Sequence, residues 1–411
     1  MQSSMSIHDL PPEILCLVFK ANANMESHPQ TLFFDSDTAT ALGDTLFASR
    51  VCKLWRVLIL GSPSLWGGLV DVDYLMRLNP VGRDEVVRRT GNALLSIRGS
   101  VAGTESYDFI IPPLLANWKR IETLSITIPD NTFPDPSKPG WEPLYWSATN
   151  LRSFSFVLYR CPERVNPVGF GPGLFNNDAP RLRVFESPCL PDPRDLTSSK
   201  HPYPFAQVRR LRLQEVVDSI PLGSLLDSLK SMHRLESLSL TSTSRERPMI
   251  ATTFPVVRLP SLLNLKLTFT PILWATILLE SLVPDRGCGL QLTWGNPPVI
   301  KDATDKKRFN DVLTRYVTNA FCNNSTCDRL RVSFTPNLLQ IKQHSITMAP
   351  HLSDLDHPPG ISLSFLRSSK SYTSILSETF HPSTIFSSCD FTGIKTLELT
   401  LKRVMRPRSS S

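Results

Sequence analysis

The sequence predicts an α/β fold in which a short helical segment precedes an irregular solenoid of strands and return segments. The first observation is a set of apolar residues at helical spacing within the first 66 residues. The second is a strand pattern that recurs between about residues 94 and 399. The third is composition, because 35 prolines in 411 residues favour many short elements over long helical bundles.

Composition places the chain among soluble globular proteins, with 41% apolar and 20% charged residues. We find no apolar run of the roughly 18 residues that span a membrane, and no signal-peptide pattern at the N-terminus. The eight cysteines are scattered within apolar patterns, which favours reduced thiols over a disulfide framework. We therefore expect a cytoplasmic or nuclear protein with no membrane partner.

The first predicted helix begins at Pro11 and Pro12, because proline suits the first turn of a helix. Glu13 follows them, where a negative charge favours the helix dipole. The apolar residues at helical spacing are Leu10, Ile14, Leu15, Leu17, Val18 and Phe19. A helix this short and this apolar is not stable alone, so it needs partners on more than one side.

Residues 20–43 are polar and predict an inserted loop. Asp44 is the predicted N-cap of a second helix that runs to about Leu60. The apolar stripe of this helix consists of Phe47, Val51, Leu54, Trp55 and Leu58. Gly61 ends the helix, and Ser62-Pro63 begins a third, shorter one.

Three sequence blocks in this segment carry a family resemblance. They are Leu10-Pro11-Pro12-Glu13-Ile14-Leu15, Val51-Cys52-Lys53-Leu54-Trp55 and Ser62-Pro63-Ser64-Leu65-Trp66. In this order they resemble the F-box, a three-helix motif that docks on the Skp-type adaptor of SCF ubiquitin ligases. The resemblance covers residues 5–66, and the loop at 20–43 is longer than the typical F-box has.

The resemblance implies an adaptor-binding set and, through the adaptor, a cullin partner. The residues implied on the adaptor-facing surface are Leu10, Pro11, Pro12, Ile14, Leu15 and Val18. Those shared between the adaptor contact and the core of the helical segment are Val51, Cys52, Trp55 and Trp66. The alternative is that all of them are ordinary core residues of a helical cap.

The remainder of the chain repeats an apolar pattern with two, then one, intervening positions. Its copies start at residues 121, 151, 182, 208, 235 and 262, with further strands expected near 94, 290, 332, 363 and 394. Return helices are expected at 112–119, 220–232, 271–282 and 304–319. This spacing resembles leucine-rich repeats, although the usual Asn or Cys after the strand is absent from most copies. The alternative is an ordinary α/β domain with unrelated strands.

The expected organisation is an F-box at 1–66, a leucine-rich-repeat-like α/β solenoid at 67–404 and a disordered basic tail at 405–411. This arrangement resembles the substrate receptors of SCF ligases, which recruit a protein target and perform no catalysis themselves. One alternative is a repeat scaffold that binds proteins without ubiquitination. Another is a nucleic-acid-associated protein, which only the net charge of +7 and the basic tail suggest.

Polar strand positions that alternate with the apolar ones are the candidate target contacts. They are Arg152, Arg210, Arg212, Asn264 and Lys266. Their cationic bias suggests an acidic or phosphorylated partner, while a plain solvated surface remains the alternative.

Signals for chemistry are weak, and we expect no catalytic, cofactor or metal site. The glycine-rich segment at 169–173 lacks the Lys-Ser/Thr of a phosphate loop. Cys322 and Cys327 have no second ligand pair nearby. The histidines at 344, 351 and 357 lie in a proline-containing polar segment without a nucleophile motif.

Overall fold

The computed structural model shows a mixed α/β protein that divides into two compact units. It describes residues 7, 10–23, 25, 40–128, 141–158, 174–187, 205–214, 221–242, 254–268, 271–284, 288–294, 302–321, 329–335, 338–344, 360–365 and 396–401. Unit 1 comprises Met1–Val165 and Gly173–Val184, and unit 2 comprises Asn166–Pro172 and Phe185–Ser411. The predicted boundary after residue 66 lies within unit 1, and the predicted tail at 405–411 lies outside the described residues.

Seven α-helices of unit 1 lie in the described residues. They are α1 (Pro12–Asn22), α2 (Ala41–Ala48), α3 (Lys53–Leu60), α4 (Pro63–Gly67), α5 (Val72–Leu75), α6 (Pro80–Arg89) and α7 (Thr104–Asn117). Proline occupies the first turn of α1, α4 and α6, where its missing N–H leaves no hydrogen bond unmade. The predicted helices near 12, 53 and 63 are therefore present, whereas α5 and α6 were not predicted.

The second predicted helix is two helices in the structure. Thr40, not Asp44, is the N-cap of α2, and its Oγ1 accepts a hydrogen bond from the backbone N–H of Gly43 at 3.1 Å. The break follows Ala48, where Ser49 Oγ donates to the carbonyl of Leu46. Cys52 then has an extended backbone and accepts from the N–H of Trp55 with its Sγ. These side chains satisfy backbone groups that a continuous helix would have paired.

The strands of unit 1 form a parallel sheet in the order β1, β2, β3, β4. They are β1 (Val70–Asp71), β2 (Leu95–Ser100), β3 (Ile121–Ile128) and β4 (Ser153–Leu158). Leu124 and Ile126 on β3 pair with Phe154 and Phe156 on β4, and all four side chains are buried. The strands predicted near 94, 121 and 151 are thus confirmed.

Helix α7 is longer than the sequence predicts. The pattern places its start at the proline pair, but the helix begins at Thr104 and contains Pro112 and Pro113 in its interior. A 3-10 turn, Trp118–Arg120, then leads directly into β3. Trp118 stacks with Phe175 at a ring distance of 6.3 Å, which seats this connection in the aromatic core of unit 1.

β5 (Val184–Ser187) lies where the two units divide. The further strands of the described chain are β6 (Arg210–Leu213), β7 (Ser237–Thr241), β8 (Val257–Leu259), β9 (Asn264–Thr268), β10 (Leu282–Pro284), β11 (Gly289–Trp294), β12 (Arg329–Thr335), β13 (Leu338–His344), β14 (Gly360–Phe365) and β15 (Thr396–Leu401). Its further helices are α8 (Leu222–Lys230), α9 (Ile272–Ser281) and α10 (Ala303–Phe321). The expected return helices at 220–232, 271–282 and 304–319 are present with slightly shifted ends.

The repeat spacing sets the strand register of unit 2. Leu211, Leu238, Leu265 and Leu290 are paired in one row across β6, β7, β9 and β11, and all four are buried. A second row, two residues further along each strand, consists of Leu213, Leu240, Leu267 and Leu292. Because parallel strands align equivalent residues side by side, repeated leucines form a continuous apolar layer.

The last strands depart from this parallel arrangement. β14 pairs parallel with β11, but β13 lies antiparallel between β14 and β12. β15 in turn pairs parallel with β12. The sequence pattern did not predict β13, and it also missed the short parallel pair of β8 and β10.

Candidate protein-docking surface

Exposed apolar side chains are concentrated at the start of the chain. Of the fifteen exposed large apolar side chains in the described residues, eight lie between residues 7 and 57. On α1, Ile14, Leu17 and Val18 are exposed, at the i, i+3, i+4 spacing that places residues on one side of a helix. Leu15 and Phe19 occupy the opposite, buried side. Helix α1 is therefore apolar on both sides, although only one of them packs against other described residues.

The neighbouring helices add exposed apolar residues of the same kind. Phe47 at the end of α2 is 66% exposed, Val51 before α3 is 61% exposed and Val57 within α3 is 62% exposed. Leu54 lies one helical turn before Val57 and is also exposed, while Ile59 is fully buried. We call the following seven the docking residues: Ile14, Leu17, Val18, Phe47, Val51, Leu54 and Val57.

The docking residues are held in place by a packed interior. Helix α1 contacts both α2 and α3, and the rings of Phe19 and Trp55 meet edge to face at 5.0 Å. Because helices of eight to eleven residues are not stable alone, these contacts fix the direction in which their outer sides point. The exposed apolar residues are thus presented by an ordered scaffold.

Trp66 connects the helices α1 to α4 with α6. Its indole Nε1 donates to the carbonyl of Ile59 at 2.8 Å, and its side chain is only 1% exposed. The guanidinium of Arg89 lies 5.6 Å from the Trp66 ring and donates to the carbonyl of Leu60 at 3.2 Å. Arg89 also pairs with Glu85 at 2.6 Å. A cation at the C-terminal carbonyls of α3 is favourably placed toward the helix dipole.

The predicted adaptor-binding residues separate into three groups by exposure. Those that are exposed are Pro11, Pro12, Ile14, Val18 and Val51. Those that are partly exposed are Leu10, Cys52 and Trp55. Leu15 and Trp66 lie in the interior.

Leu15 is thus not on the surface where the resemblance placed it. It lies four residues before Phe19, on the side of α1 that packs inward, because residues at i and i+4 share a helix side. Sequence reasoning missed Leu17, Phe47, Leu54 and Val57 as docking residues. Their helical spacing was visible, but spacing alone does not tell which apolar side of a helix is buried.

The predicted target-contacting residues are distributed over both units. Arg152 lies in unit 1 and pairs with Glu122 at 3.0 Å, while Arg212 in unit 2 pairs with Glu186 at 3.2 Å. Both arginines are therefore compensated by a glutamate within the chain. Arg210 is partly exposed and has no ion pair among the described residues. Its register places it in one row with Ser237 and Asn264.

A second row of outward positions lies beside it. It contains Arg212, Ser239 and Lys266, all in register across β6, β7 and β9. Their side chains alternate with the buried leucines, as predicted for polar strand positions. This part of unit 2 therefore presents mainly hydroxyl, amide and cationic groups.

Three titratable groups of the described chain, Asp71, Asp73 and Cys288, have raised pKa values. Burial raises the pKa of Asp71, whose carboxylate accepts from the N–H of Tyr74 at the start of α5. Burial also raises the pKa of Asp73, which accepts from the N–H of Ser100 on β2. Burial raises the pKa of the Cys288 thiol to about 12, so this cysteine stays protonated and unreactive at neutral pH.

The described residues contain no group of three or more His, Cys, Asp or Glu side chains arranged to hold a metal ion. Within the same residues, no helix is long and apolar enough to cross a membrane. The segment at 169–173, both Cys322 and Cys327, and the histidines at 351 and 357 lie outside the described residues. His344 is the last residue of β13.

We compared the chain with known proteins at three levels. We found no match to a family model, to a curated protein or to a solved structure.

Proposed function

We propose that this protein is a substrate-receptor subunit of an SCF-type ubiquitin ligase. Its helical segment docks on the Skp-type adaptor, which links it to the cullin, and its strand region recruits a protein target. The observation that carries the proposal is the set of seven exposed docking residues on an ordered helical scaffold. It agrees with the F-box-like order of sequence blocks between residues 10 and 66.

Burial of the docking residues by a partner would supply substantial free energy. Removing apolar surface from water contributes about 25 cal/mol per Å². Contiguous exposed apolar residues, such as Ile14, Leu17 and Val18 on one side of α1, mark interaction sites more often than singly scattered ones do. Phe47, Val51 and Val57 are each more than 60% exposed, so most of their apolar surface remains available to a partner.

The strand region suits a recruiting role in this proposal. Leucines of successive repeats form buried rows in register, which supports a leucine-rich-repeat-like solenoid. The outward residues of the same strands are polar and offer hydrogen-bond donors to a bound protein. A receptor of this kind acts by holding its target at high effective concentration near the ligase, and it needs no catalytic residue.

Binding to a purified Skp-type adaptor tests the proposal. The full chain should bind the adaptor, and Ile14→Asp/Leu54→Asp should lower the affinity at least about 100-fold, because each change buries a charge in an apolar contact. Leu115→Asp/Val256→Asp is the matched control, since both residues are exposed and apolar but lie outside the docking residues. Circular dichroism verifies that each variant is folded.

Two results would contradict the proposal. One is a wild-type chain that does not bind the adaptor, and the other is a docking variant that binds as tightly as the control. A chain that binds the adaptor but excludes the cullin from the complex would instead be a scaffold without ubiquitination. Size-exclusion chromatography of adaptor, cullin and this chain distinguishes that case.

A further inference from the structure

A row of cations accompanies the docking residues before and along α3. Arg50, Lys53 and Arg56 are spaced by three residues, and each is followed directly by Val51, Leu54 or Val57. All three cations are exposed. From residue 53 onward both series run along the helix at i, i+3 spacing, so the apolar residues and the cations form adjacent rows.

These cations have no carboxylate partner in the described part of the chain. The guanidinium of Arg50 lies 5.9 Å from the Phe47 ring, while Lys53 and Arg56 make no ion pair with a described residue. Two other exposed arginines do have carboxylate partners: Arg152 pairs with Glu122 and Arg308 pairs with Glu280. What distinguishes Arg50, Lys53 and Arg56 is that all three lie directly beside exposed apolar side chains and make no ion pair with a described residue.

An apolar contact with a cationic edge selects its partner by charge. Carboxylates at the rim of an interface attract such an edge over several ångströms and accelerate encounter. Like charges at the same rim would oppose binding, which excludes basic partners.

We propose that the docking residues are recognised by an acidic protein surface, in which carboxylates flank the apolar groove that receives Val51, Leu54 and Val57. The carboxylates pair with Arg50, Lys53 and Arg56. This inference rests on the proposed function and specifies the chemistry of the adaptor surface that α3 contacts.

A membrane surface with anionic lipids is the competing occupant, since it also attracts basic amphipathic helices. One feature favours a protein. The exposed carboxylates of Glu13 and Asp44 lie in the first turns of α1 and α2. A uniformly anionic lipid surface would repel them, whereas a protein can place its carboxylates opposite Arg50, Lys53 and Arg56 alone.

Association kinetics with the purified Skp-type adaptor test this inference. The charge-reversal variant is Arg50→Glu/Lys53→Glu/Arg56→Glu, and the control is Arg258→Glu/Lys307→Glu, which reverses exposed cations that make no ion pair with a described residue. At low salt the association rate of the charge-reversal variant should fall about 10-fold to 100-fold, while its dissociation rate changes much less. The wild-type rate should fall with added salt, and the variant should lose this dependence. The control should match the wild type.

The outcomes separate the two proposals. Adaptor binding with unchanged association rate and salt dependence in the variant would overturn the acidic-surface inference and leave the proposed function intact. Failure of the wild type to bind the adaptor would remove both. Vesicles of phosphatidylcholine with about a third phosphatidylserine provide the lipid arm. Vesicle binding that the charge reversal abolishes, with adaptor kinetics unaffected, would identify lipid as the occupant and overturn the inference.

Discussion

The helices α1 to α4 and the β-strands of the chain differ in which residues they leave exposed. On the helices around α1 and α3, apolar side chains remain exposed beside cations that make no ion pair with a described residue. On the strands, apolar residues are buried in rows. Arg152, directly before β4, and Arg212 on β6 each pair with a glutamate of a neighbouring strand. The helices therefore keep apolar surface whose burial by a partner would be favourable. The strands already bury their apolar residues and pair several of their charges within the chain.

This difference indicates different kinds of contact. Apolar burial is strong and non-directional, so the helical segment suits a long-lived association with one partner. A strand surface of hydroxyl, amide and paired charged groups gains little net free energy from each new hydrogen bond, because water already satisfies those groups. In the proposed receptor, selectivity for a target would therefore come from the arrangement of donors and acceptors rather than from affinity alone.

The largest expected effect contrasts an interior leucine with a docking residue. Leu238 is fully buried and paired in register with Leu211 and Leu265, so Leu238→Ala should lower the free energy of unfolding by about 2–5 kcal/mol. Val57→Ser, at an exposed position, should change it by less than about 0.5 kcal/mol. Urea denaturation measures both. A comparable loss of unfolding free energy in Val57→Ser would show that Val57 belongs to the core. It would contradict the difference between buried strand leucines and exposed docking residues.

An intermediate effect is expected where the helical segment is fastened to α6. Trp66→Phe removes the hydrogen bond from Nε1 to the carbonyl of Ile59, which keeps the backbone N–H of Ser62 as a donor at 3.3 Å, so the loss should cost about 0.5–1.5 kcal/mol. Trp146→Phe is the matched control, because Trp146 is 44% exposed. The shift in the urea midpoint should be clearly larger for Trp66→Phe. Equal shifts would show that the hydrogen bond of Trp66 does not stabilise the connection between α3 and α6.

A smaller effect is expected from the paired charges of the strands. A double-mutant cycle on Arg212→Ala and Glu186→Ala should give a coupling of about 0–1 kcal/mol, because the pair is partly exposed and screened by water. The coupling should decrease further in high salt. A coupling of several kcal/mol would mean that this pair is a structural element of unit 2, and the strand surface would then have less freedom to reorganise around a target.

The parallel strands that carry the recurring apolar pattern were predictable because the pattern is redundant. Each strand carries apolar residues at the same spacing, and pairing in register turns that spacing into buried rows such as Leu211, Leu238 and Leu265. The antiparallel strand β13 carries no such repeat and was missed. Its position depends on pairing with β12 and β14, which no local pattern encodes.

The docking residues were only partly predictable for a different physical reason. Periodicity identified both Leu15 and Leu17 as apolar positions of α1 but did not tell which of them is buried, and the structure shows the first fully buried and the second 62% exposed. The choice depends on which neighbours α1 packs against, which is a tertiary property. The helix break at Ser49 to Cys52 likewise depends on side-chain hydrogen bonds that compete with the helix.

The smallest expected effect concerns Glu85, which pairs with the arginines next to the helical segment. Hydrogen bonds from Arg88 above all, and the charge of Arg89, lower its pKa from 4.5 to about 2. A carboxylate whose pKa is lowered on folding stabilises the protein above its unfolded pKa, and this contribution is lost as the pH falls toward 2. Glu85→Gln should therefore be slightly less stable than the wild type at pH 7, and the difference should shrink between pH 4.5 and pH 2.

Thermal unfolding across that pH range, in an Arg88→Gln background as well, tests this coupling. The effect of Glu85→Gln should be smaller in that background, because Arg88 makes the largest contribution to the lowered pKa of Glu85. Since the pair is exposed, the whole effect should also decrease in high salt. A pH-independent difference between wild type and Glu85→Gln would mean that Glu85 acts by packing around Arg89. The helical segment would then be held to α6 mainly by the contacts of Arg89 with Trp66 and the carbonyl of Leu60.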